Sequence, residues 1–382
     1  MIRSFTAITR EIDNAEAAVA EITRTLDPKK NLLKNSLGII TCFSEFEDTG
    51  VLKAICDSLP FDCIGSTTCL CASGQEIDQI ILIITVLTSD DCSFHTTTIP
   101  IAGKYEDSVD SALSALLARC GERPALLLSY FPLMNTVSGD MILTATDKTT
   151  GGVPLFGTTT VDHKMDYSSA KTIYGGEAFR ETVVLGAICG AVNYSFEIAS
   201  INEDKIRKQK AVITESSGNI LMGVNGESAL DYLEKIGLTK ADIATGLGVL
   251  PLVVDHRNGT KPVARAVFAS TPEGHAVCGG AMPKDTILAL GHIDMDDVLS
   301  TTEDALKPLV EKEGFILSYS CMARYLVLGA NVTVEAEKVK EVAGGTQYLF
   351  ACSGGEICPL PDVDGKLKNY YHNYTNVFCK IS

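Results

Sequence analysis

Three times along this 382-residue chain an apolar strand runs out into a cluster of small polar residues, and this recurrence limits the possible folds more than any other feature. The first case is 37–44, which ends at Ser44, with its neighbour 61–68 ending Gly65-Ser66-Thr67-Thr68. The second is 125–132, with a following strand that closes Gly157-Thr158-Thr159-Thr160. The third is 315–321, followed by 348–352 entering Ser353-Gly354-Gly355. Continuous apolar runs without alternation suit strands buried on both faces. A helix predicted over 49–59 separates the first pair, so strand, helix and strand imply a parallel βαβ unit with a right-handed crossover. The strand over 80–88 extends the same sheet. A helix over 107–120 opens the second copy, and Gly157 follows Gly65 by 92 residues, the mark of an internal repeat. A helix over 334–343 lies inside the third. In parallel sheets the carboxyl ends of strands line the ligand crevice. Candidate binding residues are therefore Ser44, Thr67, Thr68, Thr158, Thr159, Cys352 and Ser353, although Ser and Thr hydroxyls at such places often satisfy loop backbone instead.

Outside these units, Ile12, Val19, Ile22 and Leu26 recur at helical spacing over 12–26. A charged stretch over 193–210 reads as a solvated connection and places a domain boundary, giving domains 1–200 and 201–382. Beyond it, Asn225-Gly226, Asn258-Gly259 and Gly279-Gly280 punctuate short β-like segments around a helix over 228–236, so an antiparallel region is expected. The fold class is α/β, α+β overall. Repeated βαβ units form mainly parallel or mixed sheets flanked by helices, with an antiparallel portion in the C-terminal domain.

Composition narrows the function. A formal net charge of -16 opposes a nucleic-acid groove, which needs a basic field. The start of the chain has no apolar core of a secretory leader, and 80–87 is far too short to span a bilayer, so no membrane insertion and a cytoplasmic location are expected. Thirteen cysteines, an odd count, read as buried thiols rather than a disulfide framework. Only Cys69-Leu70-Cys71 pairs cysteines closely, and the six histidines show no ligand spacing, so no metal and no cofactor are expected. A phosphate-binding lysine loop is missing, and 246–251 begins like a dinucleotide fingerprint but lacks its last glycine.

Several motifs in order resemble one family. Gly38 to Ser44 and Ile64-Gly65-Ser66-Thr67-Thr68 lead to Gly74-Gln75-Glu76-Ile77, with 69–73 as extra residues before the glutamate. Later come Ala229-Leu230-Asp231-Tyr232, Cys321-Met322-Ala323-Arg324, Gly355-Glu356-Ile357-Cys358-Pro359 and His372-Asn373-Tyr374-Thr375. Together they resemble the FIST N-domain and FIST C-domain proteins of bacterial intracellular signal transduction, over nearly the whole chain. The resemblance implies a sensory module that binds a small molecule, such as an amino acid or a similar metabolite, in a cleft between the domains. It also implies a separate output protein such as a histidine kinase, a cyclase or a chemotaxis receptor, with no output module expected in this chain. On that basis Arg324 would hold a carboxylate bidentately, or else form a salt bridge. Glu356 would meet an ammonium group, cap a helix or pair with Arg324, and Asn373 would close the pocket. The alternatives are a cysteine-dependent enzyme using Cys321 or Cys352, an interaction module without a ligand, and a haem-based gas sensor with His163 or His275 on the iron.

Overall fold

The computed structural model describes residues 1–382 except 102, 135, 136, 165, 239–249 and 312; most of 246–251 therefore lies outside the described residues. The repeat is threefold. The first unit comprises β1 (Arg3–Thr9), β2 (Asn35–Cys42), β3 (Cys63–Thr67), β4 (Cys71–Ser73), β5 (Glu76–Asp78) and β6 (Leu82–Ser89). The second comprises β7 (Ser93–Pro100), β8 (Leu126–Phe131), β9 (Leu155–Thr159), β10 (Thr172–Tyr174), β11 (Glu177–Phe179) and β12 (Thr182–Cys189). The third opens with β13 (Tyr194–Ala199). After an insertion holding β14 (Lys210–Ser217), β15 (Ile220–Val224), β16 (Glu227–Ser228), β17 (Leu252–Asp255), β18 (Val263–Arg265), β19 (Val267–Ser270), β20 (Ala276–Cys278) and β21 (Ile287–Leu290), it resumes. Its remaining strands are β22 (Phe315–Cys321), β23 (Tyr348–Ser353), β24 (Glu356–Pro361), β25 (Leu367–His372) and β26 (Asn376–Ile381).

Each unit gives one sheet of the same pattern, and each lends its hairpin to another. The sheets run β1-β6-β2-β3-β10-β11, β7-β12-β8-β9-β24-β25 and β13-β26-β22-β23-β4-β5. In each, one parallel pair (β2 with β3, β8 with β9, β22 with β23) is flanked by antiparallel strands. The hairpin β4–β5 occupies the stretch whose residues 69–73 look like an insertion in the sequence; it adds to the edge of β23 instead. Sequence periodicity does find the three parallel pairs, the mixed sheets and the antiparallel C-terminal portion.

The strands are buried on both faces because the sheets share one core and carry helices outside. Leu37, Ile39, Leu128, Phe156, Leu317 and Leu349 meet in the central cluster, where Tyr130 and Tyr319 hydroxyls lie 3.1 Å apart. Ile40 and Cys42, one residue out of phase, face instead the helices α1 (Ala15–Leu26), α2 (Pro28–Asn31), α3 (Glu45–Asp48) and α4 (Val51–Asp57) side of the first sheet, where Ile22, Phe46 and Ile55 pack. α5 (Tyr105–Cys120) and α6 (Gly139–Thr150) cover the second sheet through Val109, Leu113 and Ile142. The period of two along a strand does this sorting.

The insertion, with its helix α7 (Ala229–Lys235), forms its own apolar cluster around Leu221, Val254 and Leu288. All its strand pairs are antiparallel in the order β18-β17-β21-β14-β15-β20-β19, with β16 on β15. Because Ala266 alone separates β18 from β19, the two ends of that order come together and the sheet nearly closes. The third unit's helices are α8 (Met295–Val310), α9 (Met322–Leu328) and α10 (Val334–Ala343).

Candidate functional site

The strand ends singled out by the sequence converge on one another. Thr67 Oγ1 donates to Val161 O at 2.8 Å, joining the first unit to the second. Thr68 Oγ1 donates to Cys352 O at 3.0 Å, joining the first to the third, and Thr158 Oγ1 to Ser353 Oγ at 2.7 Å, joining the second to the third. All six residues are buried, and their polar groups hold the three units together at this end of the core. Ser44 is buried separately, before α3.

Beside this knot a cavity of about 350 Å³ opens between the second and third units and the inserted sheet. Its floor is the carboxyl ends of β8, β9 and β22 and the turn after β23, through Pro132, Thr159, Cys321 and Gly354. One wall is the start of α6, Ser138 and Gly139; another is α9, through Met322, Ala323 and Leu326. The roof is Ala266, Val267, Phe268, Cys278 and Gly279 of the insertion, while Tyr371, Asn373 and Tyr374 close the remaining side. Thr159 and Asn373 are the two predicted ligand-binding residues that line it, beside the candidate nucleophile Cys321. A larger cleft of about 490 Å³ follows β13 and the connection into the insertion, away from the convergent strand ends.

Each lining group is held for an identifiable reason. Tyr371 is buried with its hydroxyl 2.9 Å from Thr159 Oγ1. Its ring fills the space that Cβ atoms on Gly139 and Gly355 would need, at 2.1 and 2.0 Å, so the glycine before Glu356 is a packing requirement. Arg265 of β18, fully buried, donates to Tyr371 O at 2.7 Å and reaches Asp140 in the first turn of α6 at 3.3 Å, which ties the roof to the wall. Sequence reasoning missed Arg265, though a lone arginine inside Val263-Ala264-Arg265-Ala266-Val267 was the available signal. Asn373, 2% exposed, takes Ala266 N–H on Oδ1 at 3.3 Å, and its Nδ2 has no protein acceptor among the described residues. Ser138 precedes α6 with its hydroxyl buried, not used as a cap and without a hydrogen-bond partner among the described residues. A helix start of this kind offers free N–H groups and the positive end of the dipole, which favour an anionic group.

Arg324 stands elsewhere. It is fully buried beneath α8, paired with Glu335 at 2.8 Å and donating to Val298 O at 2.8 Å and Thr302 Oγ1 at 2.9 Å. Glu335, not Glu356, is its partner. Glu356 is also fully buried, just behind the cavity floor; Thr375 donates to Oε2 at 2.7 Å, and Oε1 has no hydrogen-bond partner among the described residues. Burial pushes the Glu356 carboxyl up to about 8, against contacts with Thr375, Ser353 and Cys321 that lower it. Burial, then the Glu356 charge, push the Cys321 thiol well above its ordinary range; the Cys69 contact, then burial, do the same for Cys352. A cysteine nucleophile needs the opposite shift. His163 is exposed against the Phe43 ring, and His275 belongs to the turn between β19 and β20; neither lines the cavity.

The fold and cavity define a ligand-sized pocket at the carboxyl ends of strands, roofed by an inserted sheet. The family model of the FIST N domain matches residues 36–227 and that of the FIST C domain residues 229–359. The chain belongs to the FIST family, whose domains are sensory domains of signal transduction. No curated protein matches the chain. Among solved structures, cyanuric acid hydrolase from A. caulinodans matches with a TM-score of 0.40 and 8% identity, over 100% of this chain and 98% of that one. Among the described residues, no helix is long and apolar enough to cross a membrane.

Proposed function

We propose that this chain is a cytoplasmic sensor that binds an amino acid or a similar small carboxylate in the cavity beneath the inserted sheet, without transforming it, and passes the signal to a separate output protein. One observation carries this function. A pocket of about 350 Å³ combines a mostly apolar lining with a helix start at Ser138 and Gly139 and the Asn373 side-chain amide. Pockets of that kind hold a small molecule by few polar groups, the carboxylate at the helix start and the remainder against Met322, Leu326 and Phe268. Ligand-driven movement of the roof against α6 would reach the surface through the buried Arg265–Asp140 pair.

A thermal-shift screen of the common amino acids tests it. A ligand at about 100 times its dissociation constant stabilises by roughly 2.7 kcal/mol, which raises Tm by several degrees. One or a few amino acids should give that shift, and Asn373→Ala should remove most of it, read against the variant's own unliganded melting point. A flat screen sinks the amino-acid assignment.

A further inference from the structure

We propose that His95, Cys120 and Cys189 form a binding site for a thiophilic divalent cation, Zn²⁺ in the first instance, on the helix-covered face of the second sheet. Their ligand atoms all lie within 4.8 Å of one another. The backbone explains why. β7 and β12 pair antiparallel with Ser93 directly opposite Cys189, and His95 lies two residues further along β7, hence on the same face. α5 packs over that face through Val109, Leu113 and Leu116 and delivers Cys120 at its last turn.

The donor set suits the cation. Two sulfurs and an imidazole are what a borderline-soft d¹⁰ ion selects, and three protein ligands leave one position open. Ser93 Oγ sits 3.1 Å from His95 Nε2 and also contacts Cys189, placing it as an orienting neighbour. The local field favours a cation. Cys120 closes a helix, at the negative end of its dipole, and the Glu122 carboxylate acts on both thiols. The nearby Arg119 guanidinium is engaged by Thr96 O at 2.6 Å. Access exists as well: Cys120 alone of the thirteen free cysteines is not fully buried, and His95 is half-exposed. The ligands are 25 and 69 residues apart (95 to 120, 120 to 189), so no sequence spacing announces them.

The fully reduced protein titrated with Co²⁺, followed by Zn²⁺ displacement, decides the matter. Expected is one equivalent per chain with tetrahedral visible bands and a sulfur-to-cobalt charge-transfer band, both lost when Zn²⁺ is added. Cys120→Ser, at a partly exposed helix end, should lose the charge-transfer intensity of one thiolate and at least tenfold in affinity. Ser93→Ala should weaken binding roughly ten- to a hundredfold with the bands retained. His95→Ala provides a second ligand variant should Cys189→Ala fail to fold. The proposal is overturned if reduced wild-type protein takes up no stoichiometric metal, or if uptake is unchanged in Cys120→Ser and His95→Ala. A Cys120–Cys189 disulfide forming in air, with no metal bound by the reduced protein, overturns it equally.

Discussion

Glu356 carries a consequence of burial that a titration can read. Its carboxyl is raised to about 8, chiefly because the charged form loses its hydration, and it faces Cys321, Thr375 and Tyr371 rather than a cation. The unfolded chain ionises this group near 4.3, as an ordinary glutamate does. Below that value both states hold the proton and the contribution to stability is complete. As pH rises toward 8 the unfolded chain releases the proton while the folded chain keeps it, so stability falls by at most about 1.4 kcal/mol per pH unit. Glu356→Gln removes the ionisation and keeps the shape. Urea unfolding at about pH 5 and about pH 8 should therefore show wild type losing roughly 2 kcal/mol or more relative to the variant across that window. Parallel pH profiles would reject the buried, proton-holding glutamate. Arg324 and Glu356 are both legible in the sequence as charged residues at strand ends. Their partners are not: Glu335 lies 11 residues beyond Arg324 in a separate helix, and only packing brings it within 2.8 Å.

At the scale of the element, the glycines that reveal the repeat also bear its tightest contacts. A Cβ on Gly65 would stand 1.8 Å from Ile40 O, and one on Gly157 the same distance from Ser129 O, each against the parallel neighbour strand. Two copies of one backbone demand select the same residue, which is why the first two units align in sequence. β23, Tyr348–Ser353, contains no glycine, so the third copy is found by its apolar pattern alone. The hairpins are harder to see. β4, β10 and β24 reach other units through backbone hydrogen bonds, which leave no mark on side-chain choice. The cavity shares that difficulty, since its roof comes from an insertion and its wall from α6. Gly157→Ala should cost about 3 kcal/mol or more, because main chain and not a flexible side chain must yield. Gly345→Ala, whose Cβ meets nothing within 4 Å, is the control and should move the denaturation midpoint little. Equal midpoints for the two variants would contradict the register of β8 and β9.

The whole molecule is knitted by those hairpins. A cut after residue 200 leaves the first sheet intact but takes β24–β25 from the second and β13 with β4–β5 from the third. β13 alone pairs six residues with β26, and Asn193 and Ser382 exchange backbone hydrogen bonds of 3.0 and 2.9 Å. The central apolar cluster draws on all three sheets, so each half by itself would expose a face that water penalises at roughly 25 cal/mol per Å². Unpaired sheet edges add an aggregation hazard. Residues 1–200 and 201–382, produced together as separate chains, should consequently copurify as a one-to-one complex and unfold in a single transition. The 201–382 piece produced alone should be insoluble or melt broadly, having lost both edges of its sheet. If instead the two pieces fold independently, ignore each other in solution and melt as sharply as the full chain, then the exchanged strands contribute little, and coupling between the units must reside in the cavity and the Arg265–Asp140 pair.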